Sequence, residues 1–142
     1  MRLYVDTNVI VYAVEGAAEF RAPARSWLAH ASRARAHFLT SFLTEFECRV
    51  GPFREKNFGM LDTYSAFLRQ PSWLLRPITL DVLRRAAAIR GEHNLKAPDA
   101  IHAATCIESR CDVFLTNDRK RFERLTELPV AELFSDPSTR FV

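Results

Sequence analysis

Short runs of strand-forming residues, each followed by a stretch of helical character, set the tightest limit on what this chain can fold into. Leu3-Tyr4-Val5, Phe38-Leu39-Thr40, Trp73-Leu74-Leu75-Arg76 and Val113-Phe114-Leu115-Thr116 are such runs. Pro129 to Leu133 reads as a last edge strand, where a proline is tolerated. Strands alternating with helices imply an α/β fold: a parallel sheet of four to five strands with helices on both faces. The first run is nearly all apolar, as a central parallel strand covered on both sides should be, and it ends directly in Asp6. In open α/β sheets ligands bind at the carboxyl ends of strands, so Asp6 is well placed for chemistry.

The intervening segments read as helices. One follows Asp6 to about Val14, and a second runs from Ala22 to Ala34 with Pro23 in its first turn. Ser41 begins a third helix that Gly51-Pro52 ends, and a fourth fills Phe53 to Arg69. Asp81 to Arg90 is a fifth, with Gly91 as its stop, and Pro98 opens an alanine-rich helix from Asp99 to Glu108. Asn117-Asp118 then caps a short helix to about Leu125.

At 142 residues the chain is one domain of ordinary size, expected over residues 1–134, with a polar and loose tail over 135–142. A content of 48% hydrophobic and 26% charged residues is globular, and neither a long apolar run nor a leader pattern stands at the start. The expectation is a soluble cytoplasmic protein with no membrane partner. Cys48, Cys106 and Cys111 are odd in number and lack a Cys-x-x-Cys pair, so they read as reduced thiols. The net charge of +3 is compatible with a nucleic-acid partner without requiring one. Its distribution is more informative, because Arg119, Lys120, Arg121 and Arg124 crowd together behind Asp118.

Four acids stand out. Asp118 follows the strand ending at Thr116 as Asp6 follows the strand ending at Val5. If those strands are neighbours, their ends lie about 5 Å apart, close enough for the two carboxylates to share a cation. Asp99 sits in the first turn of an alanine-rich helix whose backbone can approach the sheet closely. The fourth is a choice between Glu45 and Glu47. Phe42, Leu43, Phe46, Val50 and Phe53 form one apolar stripe, and the two glutamates flank it. Glu45 has Arg49 one turn later, an ordinary surface pair, whereas Glu47 has no basic partner at helical spacing. Glu47 is therefore assigned to the site.

Each acid alone has a bland explanation: an N-cap for Asp118, the helix dipole for Asp99, a capping box with Thr44 for Glu47. The combination is harder to explain away. Four carboxylates converging on one rim would repel one another, and a divalent cation removes that repulsion. All-oxygen ligation suits Mg²⁺ or Mn²⁺ rather than zinc. His102 reads as a packed residue or a donor to a ligand rather than a ligand itself. Ser41, Thr44, Thr116 and Asn117 either orient carboxylates or cap helices.

Asp6-Thr7-Asn8 behind an N-terminal strand, Thr40-Ser41-x-x-Thr44-x-x-Glu47, Pro98-Asp99-Ala100-x-His102-Ala103-Ala104 and Thr116-Asn117-Asp118 stand in the order and spacing of the PIN domain. The chain resembles in particular the VapC-type toxins of bacterial toxin–antitoxin pairs, from Leu3 to about Leu133. That resemblance implies that Asp6, Glu47, Asp99 and Asp118 bind Mg²⁺ or Mn²⁺ and support RNA cleavage, with Asn8 and Thr116 supporting the ligands. It also implies a cognate antitoxin that covers the site, and a homodimer. Phe53, Phe58, Tyr64 and Phe67 are candidates for such an interface, and core packing explains them equally well. Arg119, Lys120 and Arg121 are candidate RNA phosphate contacts, with a solvated helix face as the plain alternative.

The chain departs from the family after Asp118, where Arg119-Lys120-Arg121-Phe122 replaces a further acid, which weighs against a second metal. The competing reading is a catalytically weak RNA- or protein-binding module. An intact acid set argues against it, because a pure binder gains little from negative charge where RNA must lie. A phosphotransferase with Asp6 as nucleophile would want a second acid two residues on, and that position is Asn8.

Overall fold

The computed structural model describes residues 1–141. Its centre is a five-stranded sheet, β1 (Arg2–Val5), β2 (His37–Ser41), β3 (Trp73–Arg76), β4 (Val113–Thr116) and β5 (Val130–Glu132), in the order β3-β2-β1-β4-β5. Every neighbouring pair is parallel. The order reverses direction at β1, so the crevice beyond its carboxyl end is the place where this topology opens for a ligand. Leu3 pairs with Val113 and Val5 with Leu115, which makes β4 the neighbour of β1, as the paired-acid argument required.

Side chains alternate across the sheet and build one core on each face. Leu3, Val5, Phe38, Val113 and Leu115 point to the side covered by α1 (Thr7–Glu15), α2 (Ala18–Arg33), α3 (Phe42–Arg54) and α4 (Phe58–Leu68). Tyr4, Leu39 and Phe114 point to the other side, against α5 (Leu80–His93), α6 (Ala97–Glu108) and α7 (Arg119–Phe122). Ala100, Ala103 and Ala104 of α6 are fully buried, so small residues do let this helix close onto the sheet. Trp27, wholly buried, ties α2 to the last strand region by donating from Nε1 to the Leu133 carbonyl at 3.0 Å.

Four boundaries differ from expectation, each for a local reason. α2 starts at Ala18, which puts Pro23 in its interior. The missing amide there is offset by the buried face Ala24, Trp27 and Ala31, a case of packing overriding propensity. α3 passes through Gly51-Pro52, whose proline is buried, and breaks instead at Lys56, which takes a left-handed φ of 54°. Asn57 then caps α4 by accepting from the Met60 amide at 3.2 Å, so that helix begins at Phe58 rather than Phe53. α5 continues through Gly91 and stops at Asn94, left-handed at φ 55°, a conformation asparagine tolerates.

The expectation of a loose tail is corrected over residues 135–141. A 3₁₀ turn spans Pro137–Thr139, Pro137 is buried, and Phe141 meets Trp27 edge-on at 5.9 Å. Two apolar side chains in an otherwise polar stretch are enough to seat it; Val142 lies outside the described residues. All three cysteines are free, Cys48 and Cys106 buried and Cys111 partly so. No helix among the described residues is long and apolar enough to cross a membrane.

Candidate active site

The carboxyl ends of β1 and β4 deliver Asp6 and Thr116 side by side, because the Asp6 amide continues the ladder by donating to the Leu115 carbonyl at 2.9 Å. Asp6 is buried, with 7% of its surface exposed. One carboxylate oxygen accepts from the Thr116 hydroxyl at 2.8 Å and the other from the Thr7 amide at 2.8 Å. Thr116 in turn accepts from the Asp118 amide at 3.0 Å, so a single hydroxyl links the two strand-end acids. Asp118 precedes α7 without capping it through its side chain, which leaves the N-cap explanation unrealised.

Glu47 reaches the site from α3. Its Oε1 lies 2.6 Å from His102 Nε2 and 2.9 Å from Thr7 Oγ1. His102 is wholly buried on α6, and its Nδ1 lies 2.7 Å from the Tyr4 hydroxyl. The neutral tautomer protonated at Nε2 satisfies both contacts, donating to Glu47 and accepting from Tyr4. A threonine chain supports the same carboxylate. Thr40 donates to the Val5 carbonyl at 2.9 Å and lies 2.7 Å from Thr44, which lies 2.9 Å from Thr7. With the Thr40 proton committed, Thr44 donates to Thr40, and Thr7 has its one proton to share between Thr44 and Glu47. Glu45 instead pairs with Arg49 at 3.1 Å on the surface, as its spacing predicted.

Asp6, Glu47 and Asp99 line one cleft of about 420 Å³ together with Thr7, Asn8, Tyr12, His102 and Arg121. Asp118 does not line it; its carboxylate pairs with Arg121 Nε, and the same guanidinium lies 3.4 Å from Asp99. The expected convergence of four acids is thus three in the cleft and one drawn aside. Asn8 accepts weakly from the Asn117 amide at 3.4 Å, which ties the two strand-end loops together. Of the basic run, Lys120 and Arg121 line an adjoining groove with Lys96 and Arg124, and Arg119 does not.

The acids feel each other's charge. Burial pushes the Asp6 carboxyl above its usual range against the opposing pull of His102, and Glu47 adds to the rise. Burial likewise raises Asp99, opposed by Arg121 and reinforced by Asp6 and Asp118. For Glu47, burial is outweighed by the hydrogen bond and charge of His102, which hold it below the usual value. For His102, burial is outweighed by the Glu47 hydrogen bond and by Asp6 and Glu47, which hold it above.

Among the described residues, no three His, Cys, Asp or Glu side chains are gathered tightly enough to clasp a metal as they stand. The chemistry of the donor set nevertheless fits a hard divalent cation. The cleft offers carboxylate, hydroxyl and amide oxygens and no thiolate, and its acids carry unfavourable mutual repulsion.

The sequence alone did not point to Tyr4 or Thr7. Tyr4 looked like one more apolar strand residue, and only the alternation of the strand, which turns it toward α6, reveals its hydroxyl's role. The exposed faces are also partly as expected. Phe53 and Phe58 are exposed, as are Phe42 and Phe46, whereas Tyr64 is buried and Phe67 packs on the core.

The model of a family described as PIN domain matches residues 3–128. No curated protein sequence gives a significant match. Among solved structures, VapBC2 from Rickettsia felis, bound to a DNA fragment from its promoter, contains a similar chain with a TM-score of 0.78 and 17% identity, covering 93% of this chain and 98% of that one. A toxin–antitoxin complex from Klebsiella pneumoniae gives 0.70 and 25% identity, covering 94% and 99%. FitAcB from Neisseria gonorrhoeae gives 0.72 and 22%, again covering 94% and 99%.

Proposed function

The chain belongs to the PIN domain family, and from that premise we propose that it is a divalent-metal-dependent endoribonuclease, the toxin of a toxin–antitoxin pair. The observation that carries this reading is the cleft in which Asp6, Glu47 and Asp99 meet at the carboxyl ends of the central strands. Mg²⁺ or Mn²⁺ would be held by Asp6, Glu47 and Asp99, with Asp118 as the fourth carboxylate. When bound, such an ion supplies Lewis-acid polarisation of the phosphodiester and a more acidic water.

The chain's own residues do the rest. Thr116 and the Thr7 amide fix the Asp6 carboxylate in one orientation, so no reorganisation is needed as charge develops. His102 and Thr7 hold Glu47 on one oxygen, leaving the other free to take a proton from the attacking water. Asn8, accepting from the Asn117 amide, and Thr116, donating to Asp6, tie the β1 and β4 ends together. Arg119, Lys120 and Arg121 are assigned to RNA phosphates, with Lys96 and Arg124 extending that strip along the adjoining groove.

Partners follow from the same reading: an RNA substrate, a cognate antitoxin and a second copy of the chain, in the cytoplasm. The toxin–antitoxin complex from Klebsiella pneumoniae among the structural neighbours supports the antitoxin. Exposed Phe42, Phe46, Phe53 and Phe58 on α3 and α4 supply apolar surface suited to protein contact. A catalytically weak binding module remains the competing reading, disfavoured by three carboxylates lining the cleft RNA would have to enter.

The glutamates provide the test. Glu47→Gln should lower cleavage of a single-stranded RNA by about 10²-fold or more, as loss of a positioned acid–base group does. Glu45→Gln, which only removes a surface partner of Arg49, should leave the rate within about twofold. Equal loss in both, or loss in Glu45→Gln alone, would overturn the assignment of Glu47.

A further inference from the structure

Arg121 is set apart from the rest of the basic run by what it touches. Its Nε pairs with Asp118 one turn earlier, and its Nη1 lies 3.4 Å from Asp99 on α6. One guanidinium therefore stands between the carboxylates of Asp99 and Asp118, on the side of the cleft that opens to the adjoining groove. A planar fork is suited to bridging carboxylates in this way. The side chain is half exposed, so the pairs are weakly held and the guanidinium can turn away into the groove it also lines.

We propose that Arg121 is a built-in counter-ion that occupies the cation position between Asp99 and Asp118 and competes with a divalent ion for those two carboxylates. The proposal rests on the metal-dependent reading above and adds to it that this site is guarded from within. Asp6 and Glu47 are left available for an entering ion, because their partners are the hydroxyls, an amide and His102 rather than Arg121. Asp118 joins the ligand set only when Arg121 leaves. By the same token Arg121 cannot serve an RNA phosphate while it bridges the two acids, so metal entry and the phosphate contact are coupled: the ion that displaces the guanidinium also frees it for the substrate backbone.

Mn²⁺ binding to the purified, metal-stripped protein, followed through the paramagnetic resonance signal of free Mn²⁺, tests this without any activity measurement. Arg121→Gln should tighten Mn²⁺ binding about tenfold, the size expected for removing one competing unit charge at contact distance. Arg119→Gln, which removes a neighbouring positive charge outside the cleft, should change it by less than about twofold. Mn²⁺ should also raise the melting temperature of Arg121→Gln more than that of the wild type. Unchanged or weaker binding in Arg121→Gln would overturn the proposal, as would equal tightening in Arg119→Gln. If in that event the wild type still binds Mn²⁺ and Asp6→Asn does not, the metal-dependent reading survives. Absence of Mn²⁺ binding in every variant would overturn both.

Discussion

Asp6→Asn should lower RNA cleavage by about 10²–10³-fold, the loss typical of removing one preorganised electrostatic group, while leaving the protein at least as stable as the wild type. The two effects have one cause. Burial holds the Asp6 carboxyl above its ordinary range, so the charged form is disfavoured in the folded state. A raised carboxyl value means that the folded protein binds this proton more tightly than the unfolded chain, and above the ordinary value the charge costs stability. An uncharged amide removes that cost at neutral pH. Its oxygen can still accept from the Thr7 amide, while its NH₂ meets Thr116, whose proton must find another acceptor. Thermal melting beside the cleavage assay separates the outcomes: lost activity with a lowered melting temperature would mean that Asp6 is structural.

His102→Ala carries the second large effect, on stability as well as on rate. It removes the Nε2 donor from the half-buried Glu47 and the Nδ1 partner from the buried Tyr4 hydroxyl, and leaves a void in the α6 face. Stranding buried polar groups in this way should cost about 2–4 kcal/mol. For a domain of this size that is a fall of roughly 6–15 °C in melting temperature. His102→Gln, which can still donate to Glu47, should recover part of it.

The pH dependence has a definite sign. Glu47 is held below its ordinary value of 4.5, so its share of the pair is present above that value and fades as pH falls through the folded one. His102 is held above its ordinary 6.5, so its share is present below that value and is lost as pH rises through the folded one. The gap between wild type and His102→Ala should therefore be widest between about 4.5 and 6.5. A gap that is flat with pH would show that the ring acts by packing alone.

Strand positions were legible in the sequence because buried parallel strands read as unbroken apolar runs, whereas β1 beside β4 was only the condition under which Asp6 and Asp118 could meet, and the pairing of Leu3 with Val113 supplies it. Helix ends were less legible at Pro23, Pro52 and Gly91, because burial of one face overrode each breaker. The tail was misjudged because two apolar residues, Pro137 and Phe141, were outweighed by polar neighbours in composition but not in packing.

At the site, the choice of Glu47 over Glu45 followed from helical spacing, since an acid without a basic partner is free to turn inward. What spacing could not reveal was the set of groups that hold the acids. The hydroxyls of Tyr4, Thr7, Thr40 and Thr44 come from four elements and meet only in the folded chain. Arg121 was legible as one of a basic run but not as the residue that bridges Asp99 and Asp118, because that bridge depends on how α6 and α7 pack.

Cleavage of a single-stranded RNA by the purified protein, measured after chelation and again after Mn²⁺ is restored, tests the central claim most directly. Activity should disappear with the chelator and return with the ion. Cleavage that persists in chelator at the untreated rate would contradict a metal-dependent nuclease built on Asp6, Glu47, Asp99 and Asp118.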